Sequence, residues 1–156
     1  MESSIATWIT DVLSVSREEF NNLPACPFAK DAWLKKKVMV SEISTNKFAE
    51  EIDKFSSAWP DGVEVVVIGS MPDVVSSDDL SVIVEHANTT LSDKGFVALE
   101  DHPDNVEQVS GLSLNQGKYA LVFLQPKDKL DHARKILQSK GYYKNWDPKY
   151  FSEVVF

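Results

Sequence analysis

The sequence has little cysteine and little positive charge. Its 156 residues include one cysteine, Cys26, so no disulfide can form within the chain, and a reducing, cytoplasmic location is expected. Sixteen lysine and arginine residues stand against 24 aspartate and glutamate residues, which gives a net charge of −8. Because nucleic-acid binding depends on cationic contacts with phosphates, this acidic balance argues against a DNA- or RNA-binding protein.

Long apolar runs and several catalytic signatures are also missing. No run reaches the ~20 apolar residues that span a bilayer, and residues 1–8 lack the basic and apolar regions of a secretory signal. The sequence has no glycine-rich phosphate loop, no dinucleotide-binding G-x-G-x-x-G and no G-x-S-x-G nucleophile elbow. We therefore expect a soluble protein with no membrane partner, and the sequence names no reaction.

Hydrophobic periodicity predicts an α/β (α+β) domain with a four-stranded mixed sheet. Apolar, β-branched segments predict strands near 38–43, 64–69, 96–100 and 119–125. Apolar residues that recur every three or four positions predict helices near 4–14, 46–58, 77–93 and 128–140. A short helix is expected around 29–34. Ser76 or Ser77 is expected to cap the helix near 77–93. The order after residue 37 is therefore β-α-β-α-β-β-α.

This order resembles that of thioredoxin-like domains, and a ferredoxin-like sandwich is the alternative. Thioredoxin-like redox enzymes carry C-x-x-C after their first strand, but here that place is Ser44-Thr45-Asn46-Lys47, so disulfide exchange of that kind is excluded. Residues 1–156 are expected to form a single domain. It comprises N-terminal helices with a loop (1–36), a sheet core (37–141) and an aromatic tail (142–156).

Cys26 is the first candidate for chemistry. It lies in the segment L-P-A-C-P-F-A-K, where two prolines predict a loop. An exposed thiolate there would be a nucleophile or a metal ligand. The alternative is a buried cysteine that acts as a small hydrophobic residue.

The second candidate is the ionisable cluster Glu100-Asp101-His102-Pro103-Asp104, directly after the third predicted strand. Imidazole and carboxylate groups together suit a divalent metal, with His102, Glu100 and Asp104 as ligands, or general acid–base catalysis. A solvated turn is the alternative. If the protein has a catalytic site, we expect the Cys26 loop to meet this cluster, with His102 lowering the pKa of the thiol.

Several short motifs resemble an uncharacterised bacterial family, a domain of unknown function. The resemblance covers about residues 5–104 and rests on a tryptophan helix, a C-P-F-A-K loop, a basic stretch before a valine-rich strand, an apolar strand and an H-P dipeptide. In this chain they are Trp8, Cys26-Pro27-Phe28-Ala29-Lys30, Lys35–Lys37 before Val38-Met39-Val40-Ser41, Val65–Ile68, and His102-Pro103. The family's later R-S-P-Y-P-type segment is missing here. The resemblance implies Cys26 and His102 as candidate positions and no particular reaction.

Two functional interpretations remain open. The first is a small interaction or regulatory module that binds a protein partner through its aromatic tail, since exposed aromatic residues often mark interfaces. The tail resembles the endings of small uncharacterised reading frames from marine phages and cyanobacteria. Its aromatic residues are Tyr142, Tyr143, Trp146, Tyr150, Phe151 and Phe156. The second is a small enzyme or metal-binding protein that uses Cys26, His102 and nearby carboxylates. The tail could also pack back on the sheet.

Overall fold

The computed structural model describes residues 1–154, and a four-stranded sheet lies at its centre. In chain order its elements are α1 (Glu2–Trp8), β1 (Ser16–Arg17), β2 (Leu23–Pro24), α2 (Ala29–Leu34), β3 (Val38–Glu42), α3 (Phe48–Ser57), β4 (Val65–Ser70), α4 (Ser77–Leu91), β5 (Phe96–Asp101), β6 (Gln108–Val109), β7 (Leu112–Ser113), β8 (Ala120–Pro126), α5 (Lys127–Ser139) and α6 (Pro148–Val154). A π-helical segment, Ile9–Leu13, continues α1. None of the helices within this part of the chain combines the length and apolarity needed to cross a membrane.

The central sheet has the strand order β3-β4-β8-β5. β3 and β4 are parallel, whereas β8 runs antiparallel to both of its neighbours, β4 and β5. Phe123 of β8 lies between Val67 of β4 and Leu99 of β5. The predicted α+β class and the four-stranded mixed sheet are confirmed. The element order after residue 37 is also as expected, with a short β6–β7 hairpin added before the last strand.

The face of the sheet that carries α3 and α4 is closely packed. Its centre consists of Val66 and Ile68 of β4 with Val122 and Leu124 of β8, all fully buried. The two helices add Phe48, Ile52, Phe55, Leu80, Val84 and Leu91. Ser76 caps α4 as predicted, because its hydroxyl accepts the backbone N–H of Asp79 at 3.1 Å.

The opposite face carries α1, α2 and α5. Ile5 of α1 and Ile9 pack on Val67 and Leu121 of the sheet. The start of α1 lies close to Gly69, where an added Cβ atom would be 2.5 Å from the Met1 sulfur. Glycine at this position therefore allows the N-terminal residue to approach the central strand.

The aromatic tail packs on the N-terminal region and not on the sheet. Tyr142 stacks on Phe20 with ring centroids 5.0 Å apart, and its hydroxyl donates to the Ala25 carbonyl. Trp146 contacts the same cluster, 6.1 Å from Phe20. Tyr142 is only 5% exposed, so much of the aromatic surface expected for a partner is covered within the chain. Phe156 lies outside the described residues.

Candidate functional site

A cavity of about 480 Å³ lies between the sheet and the helices α1, α2 and α5. Its floor is apolar and comes from three neighbouring strands, through Val65, Val67, Phe123 and Leu99. Ligand pockets in proteins usually measure ~300–1,000 Å³ and are mainly apolar. Both the size and the lining of this space therefore fit a binding site for a small molecule.

Helix α5 explains why this space stays open. Its apolar side chains, Leu130, Ala133, Ile136 and Leu137, follow helical spacing and turn toward the rest of the molecule. Only Leu137 is buried, and it packs with the aromatic tail. The other three are half-buried and line the cavity. Their partial burial leaves the space beneath α5 open to solvent, and Leu99 in its floor is still 38% exposed.

The wall opposite α5 contains the π-helical segment. Its wider turn is closed by a hydrogen bond from the backbone N–H of Ser14 to the carbonyl of Ile9, 2.9 Å long. Ile9 and Leu13, the two ends of this segment, both line the cavity. Single π-helical turns are rare and occur frequently at functional sites.

Trp8 presents an apolar ring to the cavity. Its indole N–H donates to the Leu114 carbonyl at 2.9 Å, and its ring lies 5.7 Å from that of Phe123. The polar group of the indole is therefore satisfied away from the cavity, and the ring is held in one orientation. Phe28 adds a second aromatic side chain, 41% exposed, at the rim.

Cys26 lines the same cavity. Its backbone N–H donates to the carbonyl of Leu13 at 2.9 Å, which joins the loop to the π-helical segment. Burial raises the pKa of the thiol, and hydrogen bonds from the backbone of Phe28 and Ala29 only partly oppose this effect. The thiol is therefore protonated at neutral pH, which makes it a weak nucleophile.

His102 is buried, and backbone hydrogen bonds hold both nitrogens of its ring. It is 2% exposed, and its Nε2 lies 2.9 Å from the carbonyl oxygen of Val75. A carbonyl can only accept, so Nε2 carries a proton, while Nδ1 accepts the backbone N–H of Asp104 at 3.1 Å. Both ring nitrogens are thus engaged, and the imidazole links the end of β5 to the loop before α4.

The carboxylates expected beside His102 do not converge on a metal site. Glu100 accepts a hydrogen bond from the Ser81 hydroxyl at 3.1 Å, and burial raises its pKa. The Asp104 side chain is 80% exposed and lies 3.9 Å from Nδ1 of His102. Among the side chains of residues 1–152, no three histidine, cysteine, aspartate or glutamate residues are grouped so that they could hold a metal ion.

The structure also separates Cys26 from His102. Cys26 borders the cavity on the α1, α2 and α5 side of the sheet. His102 and Glu100 bind the loop before α4 and α4 itself, on the other side. The pairing of a thiol and an imidazole expected from the sequence is therefore not formed, because the sheet lies between them.

Sequence reasoning missed the cavity itself. The one available signal was the apolar stripe of α5, which the sequence assigns to an ordinary core helix. A sequence pattern shows that such a stripe faces inward, but not whether the opposing surface fills the space. The stripe from Leu130 to Ile136 therefore could not be distinguished from close-packed core residues.

A second, smaller groove of about 310 Å³ lies between α3 and α4. It contains polar side chains, and an ion pair between Lys94 and Asp53, with Nζ and Oδ1 3.0 Å apart, joins the 3-10 turn after α4 to α3. Its volume lies at the lower limit of ligand pockets. The cavity beneath α5 is therefore the stronger candidate.

Comparisons with known proteins add no assignment to this geometry. The family resemblance of residues 5–104 stays a prediction. No protein-family model, curated protein or solved structure matches the chain.

Proposed function

We propose that the protein is a small, non-enzymatic binding module whose ligand is an apolar small molecule held beneath α5. The observation that carries this proposal is the apolar cavity of about 480 Å³. The cavity is open to solvent on one side, since Phe28 and Leu99 in its lining are 41% and 38% exposed. A ligand that fills it would bury this apolar surface, so binding would stabilise the folded protein.

The chemistry of the wall favours binding over catalysis. Cys26 is protonated at neutral pH because burial raises the pKa of its thiol. Glu64, which also lines the cavity, accepts a hydrogen bond from Lys37 at 2.7 Å. Catalysis by a thiol needs an adjacent base that removes its proton, and His102 lies across the sheet. The aromatic and aliphatic wall offers contact area instead.

The aromatic tail supports the same proposal indirectly. Tyr142 and Leu137 belong to one buried cluster with Phe20, so the tail fixes the C-terminal end of α5. The N-terminal end of α5 follows β8 directly. Held at both ends, α5 can remain above the sheet without filling the space beneath its middle.

Binding of Nile red, a neutral apolar dye whose fluorescence rises in an apolar environment, tests the proposal. We expect a saturable rise with the wild-type protein. Ala133→Phe should abolish it, since the new ring occupies the cavity. The matched control is Gln138→Phe, which adds the same ring to an exposed position of α5 and should leave binding unchanged.

Two results would overturn the proposal. One is the absence of saturable dye binding by the folded wild-type protein, checked by circular dichroism. The other is equal dye binding by wild type and Ala133→Phe. If Ala133→Phe fails to fold, Ala133→Val adds less volume at the same position, and it should weaken binding relative to Gln138→Phe.

A further inference from the structure

We propose that the ligand of this cavity is an anionic amphiphile, an apolar body with one acidic headgroup that lies beside Lys129. This inference rests on the proposed function and adds the chemical class of the ligand. It is based on the positions of the polar residues in the lining and on the charges around them.

The polar lining is concentrated at one end of the cavity. Gln125 is the second-last residue of β8, and Lys129 lies in the first turn of α5, which begins immediately after that strand. Glu64 immediately precedes β4. Because Val66 of β4 is paired with Leu124 of β8, Glu64 and Gln125 lie at the same end of the sheet. Cys26, Leu13 and Ile136 line the cavity without contributing a charge.

The charges at this end leave an unpaired cation. Glu64 forms an ion pair with Lys37 at 2.7 Å. Lys127 pairs with Asp131 at 2.5 Å, also on α5. Lys129 has no acidic partner among residues 1–152, the part of the chain whose side chains the structure describes. It is exposed at the rim of the cavity, so its ammonium group can meet a headgroup without being buried.

Neighbouring residues add to this positive potential. The run Lys35–Lys37 leads into β3 at the same end of the sheet, since the Lys37 carbonyl accepts the backbone N–H of Glu64. Lys35 pairs with Asp31 at 2.9 Å, whereas Lys36 has no ion-pair partner in the described part of the chain. Asp128 is the opposing acid, and its carboxylate accepts the backbone N–H of Lys129. Among the charged residues named at this end, the lysines outnumber the carboxylates five to four, so this end does not share the acidic surplus of the chain, whose net charge is −8.

Two further groups suit an acidic headgroup. Gln125 is half-buried, and its side-chain amide has no hydrogen-bond partner among the side chains described, those of residues 1–152, so its NH₂ group is free to donate. His132, one helical turn after Lys129, also borders the cavity. A carboxylate at this position would accept from the amide and face the ammonium, while its chain would lie along Phe123 and Leu130.

Displacement of Nile red by three ten-carbon ligands tests this inference. Decanoate, decanol and decylammonium share one chain and differ in headgroup charge, and each is used below its micelle concentration. We expect decanoate to displace the dye at about fivefold lower concentration than decanol, the size of one exposed ion pair. Decylammonium should be the weakest competitor, because like charges repel.

Lys129→Glu is the decisive variant. It should reduce the advantage of decanoate over decanol about tenfold, since attraction becomes repulsion, and the comparison of the two competitors within each variant makes this ratio the readout. Lys140→Glu makes the same charge change one residue beyond the far end of α5, at an exposed position, and should have no effect. Higher ionic strength should reduce the preference of the wild-type protein for decanoate over decanol.

The outcomes separate the two proposals. If Nile red binds, Ala133→Phe blocks it, and decanol or decylammonium competes as well as decanoate, the cavity binds ligands but the acidic class is wrong. An equal preference for decanoate over decanol in wild type and Lys129→Glu would also overturn the acidic ligand class, and it would leave the proposed binding function standing. If Nile red does not bind the folded protein at all, both proposals fall.

Discussion

The side-chain amide of Asn88 pairs with both backbone groups of Ala98. Its Oδ1 accepts the Ala98 N–H at 2.9 Å, and its Nδ2 donates to the Ala98 carbonyl, also at 2.9 Å. Asn88 lies on α4, and Ala98 lies in the middle of the edge strand β5. The amide therefore takes the place of a neighbouring strand at one residue and protects this edge from pairing with another chain.

Replacing Asn88 should destabilise the protein. Asn88→Ala leaves a buried backbone donor and acceptor without partners, and we expect a loss of about 1–3 kcal/mol in the free energy of unfolding. Urea denaturation measures this quantity. Thr89→Ala, at the exposed neighbouring position, is the control and should change little. Equal stability of the two variants would contradict the role assigned to the amide.

His102 should contribute to stability independently of Cys26. His102→Phe removes the partner of the Val75 carbonyl, and we expect a cost of about 1–3 kcal/mol. Because the sheet separates the two side chains, the effects of His102→Phe and Cys26→Ala should add within about 0.5 kcal/mol in the double variant. A larger coupling energy, measured by urea denaturation of all four proteins, would instead support the contact between the Cys26 thiol and the His102 imidazole that the sequence predicts.

Glu100→Gln should stabilise the protein at neutral pH. Burial raises the pKa of Glu100 in the folded state, so the fold favours the protonated carboxyl. The wild type therefore loses stability as the pH rises from below the ordinary glutamate value of ~4.3 through the raised value. Glutamine has no charge to desolvate and can still accept from Ser81.

The measurement is the free energy of unfolding of both proteins between pH 4 and 7. The advantage of Glu100→Gln should grow as the pH rises. The control for the loss of one carboxylate is Glu50→Gln, at an exposed position on α3. A variant that is less stable than the wild type throughout would show that the hydrogen bond to Ser81 outweighs the desolvation of the charge.

Cys26 should react slowly with iodoacetamide in the native protein. The raised pKa keeps the thiol protonated at pH 7, and the reaction needs the thiolate. The rate should keep rising with pH beyond the ordinary cysteine value of ~8.5. It should fall when Nile red is bound, because Cys26 lines the same cavity. Rapid labelling at pH 7, at the rate of a free cysteine peptide, would contradict this environment.

Local patterns along the chain predicted most of the elements. The β-branched run Val65–Ile68 lies in the central strand β4, and Ser76 forms the expected cap. Residues 4–14 were expected to form one continuous helix, but the chain changes to π-helical turns at Ile9. Apolar spacing specifies which side of a segment faces the sheet, and it does not distinguish α from π turns when both direct Ile9 and Leu13 to that side.

The same local patterns did not predict how segments distant in the sequence are arranged in the fold. The sequence did not specify that β8 lies between β4 and β5. Strand pairing depends on how the apolar faces of all the strands and helices are buried together. The expected meeting of Cys26 and His102 assumed that both lie on one side of the sheet. His102 instead follows the inward-facing Ala98 and Glu100 at alternate positions, which directs it to the α4 side.

The strand order has a consequence for biosynthesis. In the described sheet β5 pairs only with β8, so a growing chain has no neighbour for β5 until the ribosome has released residues beyond Pro126. The cavity forms later still, because its walls come from α1, near the start of the chain, and from α5, which follows β8. A nascent chain therefore leaves apolar surface of β4 uncovered until β8 and α5 have been synthesised, and the cavity is complete only then.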